Sequence, residues 1–182
     1  MAQKRALTEL EGTVLGLVSA RQPVTPYQVR SVFLRSPSPH WSGSAGAIYP
    51  LMRRLERAGL LHGVTARTGA RLCRRYRVTS GGRQALRRWI GPPIHDAAIG
   101  VPPDPLRMRI ACLSLLPEKE RQVFLRHVVK RMAQQLAVAQ RSLASEETGG
   151  FYFHLMARGA VAMMRARLQW IEEASRVLRG RG

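Results

Sequence analysis

With 182 residues, 45% of them hydrophobic, the chain can bury a core in one domain or two small ones, which excludes a disordered tail. Its 30 Lys and Arg against 11 Asp and Glu give a formal net charge of +19, so a polyanion is the expected partner, with double-stranded DNA the first candidate. No run of roughly 18 apolar residues appears and the start of the chain lacks a basic, apolar and small-residue leader, so a cytoplasmic protein with no membrane partner is expected.

Cys73 and Cys112 lie far apart, with no second Cys or His two to four residues from either. That argues against a disulfide framework and a zinc site, and no metal or cofactor is expected. Each cysteine reads as a small buried hydrophobe. The basic charge is uneven: residues 1–90 carry 16 basic and 3 acidic side chains. The polyanion site is therefore expected in this half.

Thr8 and Glu11 form a capping box at the start of a first helix that runs to about Ser19, with Leu10, Val14, Leu17 and Val18 on one face. Thr25-Pro26 opens a second, short helix with Tyr27, Val29, Val32 and Phe33, and Ser36-Pro37-Ser38-Pro39 ends it. A third helix is read from about Ser44 to Ala58, with Ile48, Leu51, Met52 and Leu55 inward and Gly59 as its stop. Pro50 removes an amide donor, so this helix is kinked or its regular part begins near Gly46. Arg53, Arg54 and Arg57 fall on its polar side.

Leu60 to Ala66 and Leu72 to Val78 read as two strands around a five-residue loop, Arg67 to Arg71, and so as a hairpin. In the second strand Tyr76 and Val78 point one way, Arg75 and Arg77 the other, toward solvent or phosphate. Thr79 caps a fourth helix whose buried stripe is Ala85, Leu86, Trp89 and Ile90. Helices followed by a basic hairpin make a winged helix-turn-helix, whose third helix enters the major groove. The arginines cluster on the two elements that this topology brings together.

The residues also resemble the PadR-like family of transcriptional regulators. The resemblance is carried by Leu15-Gly16-Leu17, by the block from Gly46 to Leu61 with Tyr49-Pro50 and Arg54-Leu55-Glu56-Arg57-Ala58-Gly59-Leu60, and by Arg75 to Arg83. It implies that Tyr49 and the arginines of the third helix meet DNA, with wing arginines on the adjacent backbone. The candidate DNA-binding residues are Ser44, Tyr49, Arg53, Arg54, Arg57, Arg67, Arg71, Arg75 and Arg77.

Gly91 to Asp104 is proline-rich and aperiodic, and reads as a linker between a DNA-binding domain at 1–90 and a helical domain at 105–182. Asp104-Pro105 caps a helix with Leu106, Ile110, Leu113 and Leu116 along one seam. A long helix follows from Pro117 to about Ala144, in which Leu125, Val129, Met132, Leu136, Ala139 and Leu143 alternate by four and three, a coiled-coil spacing. Gly149-Gly150 breaks it. The last helix repeats the pattern with Ala157, Val161, Met164, Leu168 and Ile171. These seams are expected to close against a second chain, so that Leu125, Val129, Met132, Leu136, Leu143, Val161, Met164, Leu168 and Ile171 form a homodimer interface, with an intramolecular bundle as the alternative. The C-terminal half is similar to that of longer PadR-like proteins of the virulence-activator type.

The expected fold is thus mainly α: a winged helix-turn-helix with a two-stranded wing and an all-α dimerisation domain. No catalytic motif is present, and five scattered histidines do not suggest one, so no enzyme is expected. The function read here is a sequence-specific regulator, a repressor on an inverted-repeat operator. A non-specific architectural DNA-binding protein, or an adaptor for RNA or acidic protein, is the competing reading. A small aromatic effector is a further candidate partner. Trp41, Trp89, Phe151, Tyr152 and Phe153 are the aromatic residues available to it, and no arrangement of them demands one.

Overall fold

The computed structural model describes residues 6–36, 38–68, 71–94, 96–144 and 150–180. Helix α1 (Glu9–Arg21) begins where expected: the Glu11 amide donates to Thr8 Oγ1 at 3.3 Å and the Thr8 amide donates to Glu11 Oε2 at 2.9 Å. The same chemistry opens α2 (Pro26–Leu34), where Thr25 and Gln28 cap reciprocally and Pro26 stands at a position that needs no donor. Within α2, Val29 and Phe33 are buried while Tyr27 is 65% exposed.

The segment read as one helix from Ser44 to Ala58 is two pieces, and a further short helix precedes it. A short helix α3 (Pro39–Gly43) is followed by a 3₁₀ turn over Ser44–Ala47, and α4 (Ile48–Arg57) starts only then. Pro50 accounts for this. As the third residue of α4, its missing N–H belongs to the turn whose donors have no intrahelical acceptor. Gly59 ends the helix with φ +70°, and the Leu60 amide reaches back to the Leu55 carbonyl at 2.9 Å, a closure that favours glycine.

Strands β1 (Leu61–Thr68) and β2 (Arg71–Val78) pair antiparallel from Leu61↔Val78 to Thr68↔Arg71, so the hairpin connection is shorter than the five-residue loop expected. The far edge of β2 is also used. Val24, ahead of α2, exchanges both backbone hydrogen bonds with Tyr76, and Gln22 Oε1 accepts from the Val78 amide at 2.8 Å. Helix α5 (Ser80–Ile90) is capped by Thr79 and packs Gly82 so close to the Leu60 carbonyl that a Cβ there would lie 2.1 Å from its oxygen. Ile90, expected in the buried stripe, is 61% exposed. Val14, Leu15, Val18, Ile48, Leu51, Met52, Leu55 and Tyr76 form the core of this unit.

The contacts divide the chain into residues 1–100 and 101–182. Within the stretch read as a linker, Asp96–Ile99 forms one helical turn, α6, with an acidic residue leading alanines as a helix start prefers. The second unit opens with α7 (Pro105–Ala111), whose Asp104 cap accepts from the Leu106 amide at 2.8 Å and from Arg167 Nη2 at 2.6 Å. Burial pushes the Asp104 carboxyl up, but Arg167 and the Leu106 amide outweigh it and the net shift is downward. Cys112 ends α7 on the surface and is exposed rather than buried, and Cys73 on β2 is half-buried.

Helices α8 (Glu118–Ala144) and α9 (Phe151–Arg179) pack on each other. Leu136, Val161 and Leu168 form their core, with Val129, Met132, Ala139, Leu143 and Met164 against it, and Leu125 and Ile171 are buried as well. Within one chain, α8 and α9 thus pack together along the seams that were expected to close against a second chain. Two amphipathic helices on one chain bury their apolar faces together without the entropy lost in bringing two molecules into contact. The faces left exposed carry Val123, Val138, Met156, Met163 and Val177.

Candidate nucleic-acid interface

Helix α4 turns Ile48, Leu51, Met52 and Leu55 into the core. Residues four apart on the other side, Tyr49, Arg53 and Arg57, form one exposed stripe, with Tyr49 42% exposed. Among the described residues Arg53 and Arg57 have no carboxylate partner. Their guanidinium groups are free to meet an anion.

Arg54 sits one step around the helix and is committed elsewhere. Its Nη2 lies 3.5 Å from Oε1 of Glu11, whose side chain is only 3% exposed. A buried carboxylate needs such compensation, so Arg54 holds α4 against α1. Ser44 also has a structural partner: in the 3₁₀ turn its hydroxyl donates to the His40 carbonyl at 2.8 Å.

Glu56 joins the helix to the wing. One carboxylate oxygen accepts from the Gly63 amide of β1 at 3.1 Å, and the other from the Tyr76 hydroxyl of β2 at 3.2 Å and from Arg74 Nε at 3.2 Å. The Arg74 guanidinium holds the Glu56 carboxyl below the usual carboxylate range, against an opposing push from burial. Burial raises the Tyr76 hydroxyl, with the Glu56 charge acting in the same direction. Glu56 stands in the block that carries the family resemblance, but neither spacing nor periodicity gave it or Arg74 a role, because its partners are seven to twenty residues away.

The register divides the wing arginines between two faces. Residues opposite one another share a face, so Arg67, paired with Leu72, lies on the side of Arg74 and Tyr76. Arg75 and Arg77 lie on the other side with Cys73. Arg67 and Arg77 are exposed, while Arg75 is half-buried rather than open to solvent. Arg71 pairs with Thr68 at the end of the ladder, and its side chain falls outside the described residues.

The aromatic residues considered for an effector are divided between the two units of the chain. Trp41 meets Phe33 edge to face at 5.7 Å, Trp89 packs on Gly12, and Phe151 meets Tyr152 at 5.4 Å on the surface. Phe153 is half-buried. A cleft of about 390 Å³ between the end of α1 and α2 is lined by Leu17, Val24, Val29, Arg21 and Arg35 among others, and by none of these five. Among the described residues no group of three His, Cys, Asp or Glu is placed to hold a metal ion, and no helix is long and apolar enough to cross a membrane.

A capped helix with an outward basic stripe, locked to a basic two-stranded wing, defines a winged-helix unit of the nucleic-acid-binding class. Residues 14–88 match the transcriptional regulator PadR-like family and residues 104–179 match the virulence activator alpha C-terminal family, so the chain belongs to the PadR-like regulators in their long, virulence-activator form. Among curated proteins no sequence matches it. Its fold is similar to that of Bacillus subtilis PadR in complex with operator DNA, at 21% identity and a TM-score of 0.77 over 94% of this chain and 99% of that one. The PadR-like regulator BC1756 from Bacillus cereus is similar at 17% identity and a TM-score of 0.76, over 97% and 99% of the two chains. The Vibrio cholerae virulence activator AphA is similar at 20% identity and a TM-score of 0.66, over 96% and 100%. Bacillus subtilis PadR in complex with p-coumaric acid gives 20% identity and a TM-score of 0.69, over 93% and 95%.

Proposed function

We propose that the chain is a sequence-specific, DNA-binding repressor that acts in the cytoplasm as a homodimer on an inverted-repeat operator. The observation that carries this is the Tyr49, Arg53, Arg57 stripe on α4, held by Glu56 at a fixed position relative to the wing. A helix presented this way reaches base edges in the major groove while wing arginines neutralise phosphate. Arg53, Arg57, Arg67 and Arg77 are the residues whose exposure suits contact with DNA. Tyr49 sits beside them, and Ser44 and Arg54 support the helix from behind. The similar fold of a protein solved on operator DNA supports the same reading.

The dimer is assigned to the outer faces of α8 and α9, where Val138, Met156 and Met163 are exposed in the single chain. Apolar side chains repeated along a helix call for a partner surface. A small aromatic acid is the proposed effector, because a protein of this fold has been solved with p-coumaric acid. The strong net charge also fits an architectural protein that binds DNA without sequence choice. Selection of bound fragments from genomic DNA, followed by insertion of about five base pairs between the recovered half-sites, separates the two. A sequence-specific dimer loses tight binding when one half-site turns to the opposite face. An architectural protein recovers no common site and is indifferent to the insertion.

A further inference from the structure

The outer face of α5 carries a second set of arginines that the α4 and wing surface does not use. Helix α5 turns Gly82, Ala85 and Leu86 inward and leaves Arg83, Gln84, Arg87 and Arg88 exposed. Arg83 folds back, donating from Nη1 to the Val78 carbonyl at 3.1 Å. Among the described residues Arg87 and Arg88 have no carboxylate partner. Ser80, Gly81, Arg83, Gln84 and Arg87 line an open cleft of about 480 Å³ beside them. Its side chains offer hydroxyl, amide and guanidinium donors and no acid.

Both α4 and α5 meet helix α1. Glu11 of α1 meets Arg54 of α4, while Gly12, the next residue, receives the Trp89 ring of α5. Successive residues of an α-helix project about 100° apart, so α4 and α5 meet α1 on different sides. Arg87 and Arg88 thus stand on a different helix from Tyr49, Arg53 and Arg57.

We propose that the α5 arginine face is a second phosphate-backbone surface, through which a regulator bound at one DNA site captures another stretch of duplex. The proposal rests on the DNA-binding reading above. Guanidinium groups match phosphate oxygens in bidentate fashion and need no base sequence to do so. A regulator held on its operator also presents this face to flanking DNA at high effective concentration, so contacts too weak to act alone are used there.

The test immobilises an operator duplex recovered by genomic selection, loads the full-length protein, and measures capture of a fluorescent duplex of unrelated sequence at low salt. The wild type captures the second duplex, and raising the salt releases it. The double variant Arg87→Ala, Arg88→Ala remains on the immobilised operator with affinity within about twofold of wild type, yet captures about fivefold less of the second duplex or lower. Both side chains are exposed, and an unchanged thermal midpoint certifies the fold. No capture by the wild type, capture undiminished in the variant, or capture of structured RNA in place of the duplex overturns the proposal. A wild type that does not stay on the operator overturns the DNA-binding reading itself, and this one with it.

Discussion

The Tyr76 hydroxyl donates a hydrogen bond of 3.2 Å to Glu56 Oε2, tying the second wing strand to the last turn of the helix whose outer face carries Arg53 and Arg57. Tyr76 is itself buried, 2% exposed, so its ring packs in the core while its hydroxyl reaches the carboxylate. Tyr76→Phe keeps the ring and removes the bond. We expect a loss of about 1 kcal/mol in urea denaturation, with native secondary structure retained. A variant as stable as wild type would show that the bond contributes nothing to stability.

The same carboxylate gives the wing an acid sensitivity. The folded-state pKa of Glu56 is depressed, chiefly by the Arg74 guanidinium. A depressed carboxylate contributes stability that is fully present above its unfolded value and is lost as pH falls through the folded one. The loss therefore falls below the usual carboxylate range, and neutral pH leaves it untouched. Glu56→Gln should flatten this part of the pH–stability profile relative to wild type. Parallel profiles between about pH 5 and 2 would contradict the assignment.

Two glycines in α1 should respond in opposite senses to the same substitution. A Cβ on Gly12 would lie 2.2 Å from Trp89 Cε2, whereas one on Gly16 meets nothing within 4 Å. Gly12→Ala forces the indole off α1 and should cost about 1–3 kcal/mol. Gly16→Ala should stabilise by about 0.5–1 kcal/mol through helix propensity. Thermal midpoints of the two variants check the pair. A tolerated Gly12→Ala would mean that Trp89 does not sit where the structure has it.

The C-terminal helices offer a second contrast. Lysine at Val129 and Leu136 enters the seam between α8 and α9, so this double variant should lose helicity in the second unit, since a buried unpaired charge is costly. Glutamate at Met156 and Met163, both exposed in one chain, should leave helicity intact and shift sedimentation from dimer to monomer. Helicity kept in the first variant, or a dimer kept in the second, would reverse the assignment of the two faces.

The helix starts were legible in the sequence because capping is local: Thr8 with Glu11, Thr25 with Gln28, and Thr79 all act within three residues of themselves. The alternation of Arg75 and Arg77 with Tyr76 and Val78 likewise needs only the two-residue period of a strand. Other features depend on partners far along the chain. The bridge from Val24 to Tyr76 is a single residue long and leaves no period to read. Which face Arg67 takes depends on the hairpin register, and a one-residue change in pairing would reverse it. Periodicity showed that the α8 and α9 seams are buried, but spacing cannot tell whether the covering helix belongs to the same chain. Glu56 looked like any charged residue on a polar helix face, since its partners meet it only in three dimensions.

The central claim, that the exposed stripe of α4 reads DNA sequence, is tested most directly by equilibrium binding of wild type and Arg53→Ala, Arg57→Ala to the selected operator and to random duplex of equal length. Base contacts distinguish sequences, whereas phosphate contacts weaken binding to all of them alike. The double variant should lose roughly 2–6 kcal/mol on the operator and far less on random DNA, so that the specificity ratio collapses. Equal losses on both duplexes would contradict the claim and leave a surface that binds DNA by charge alone.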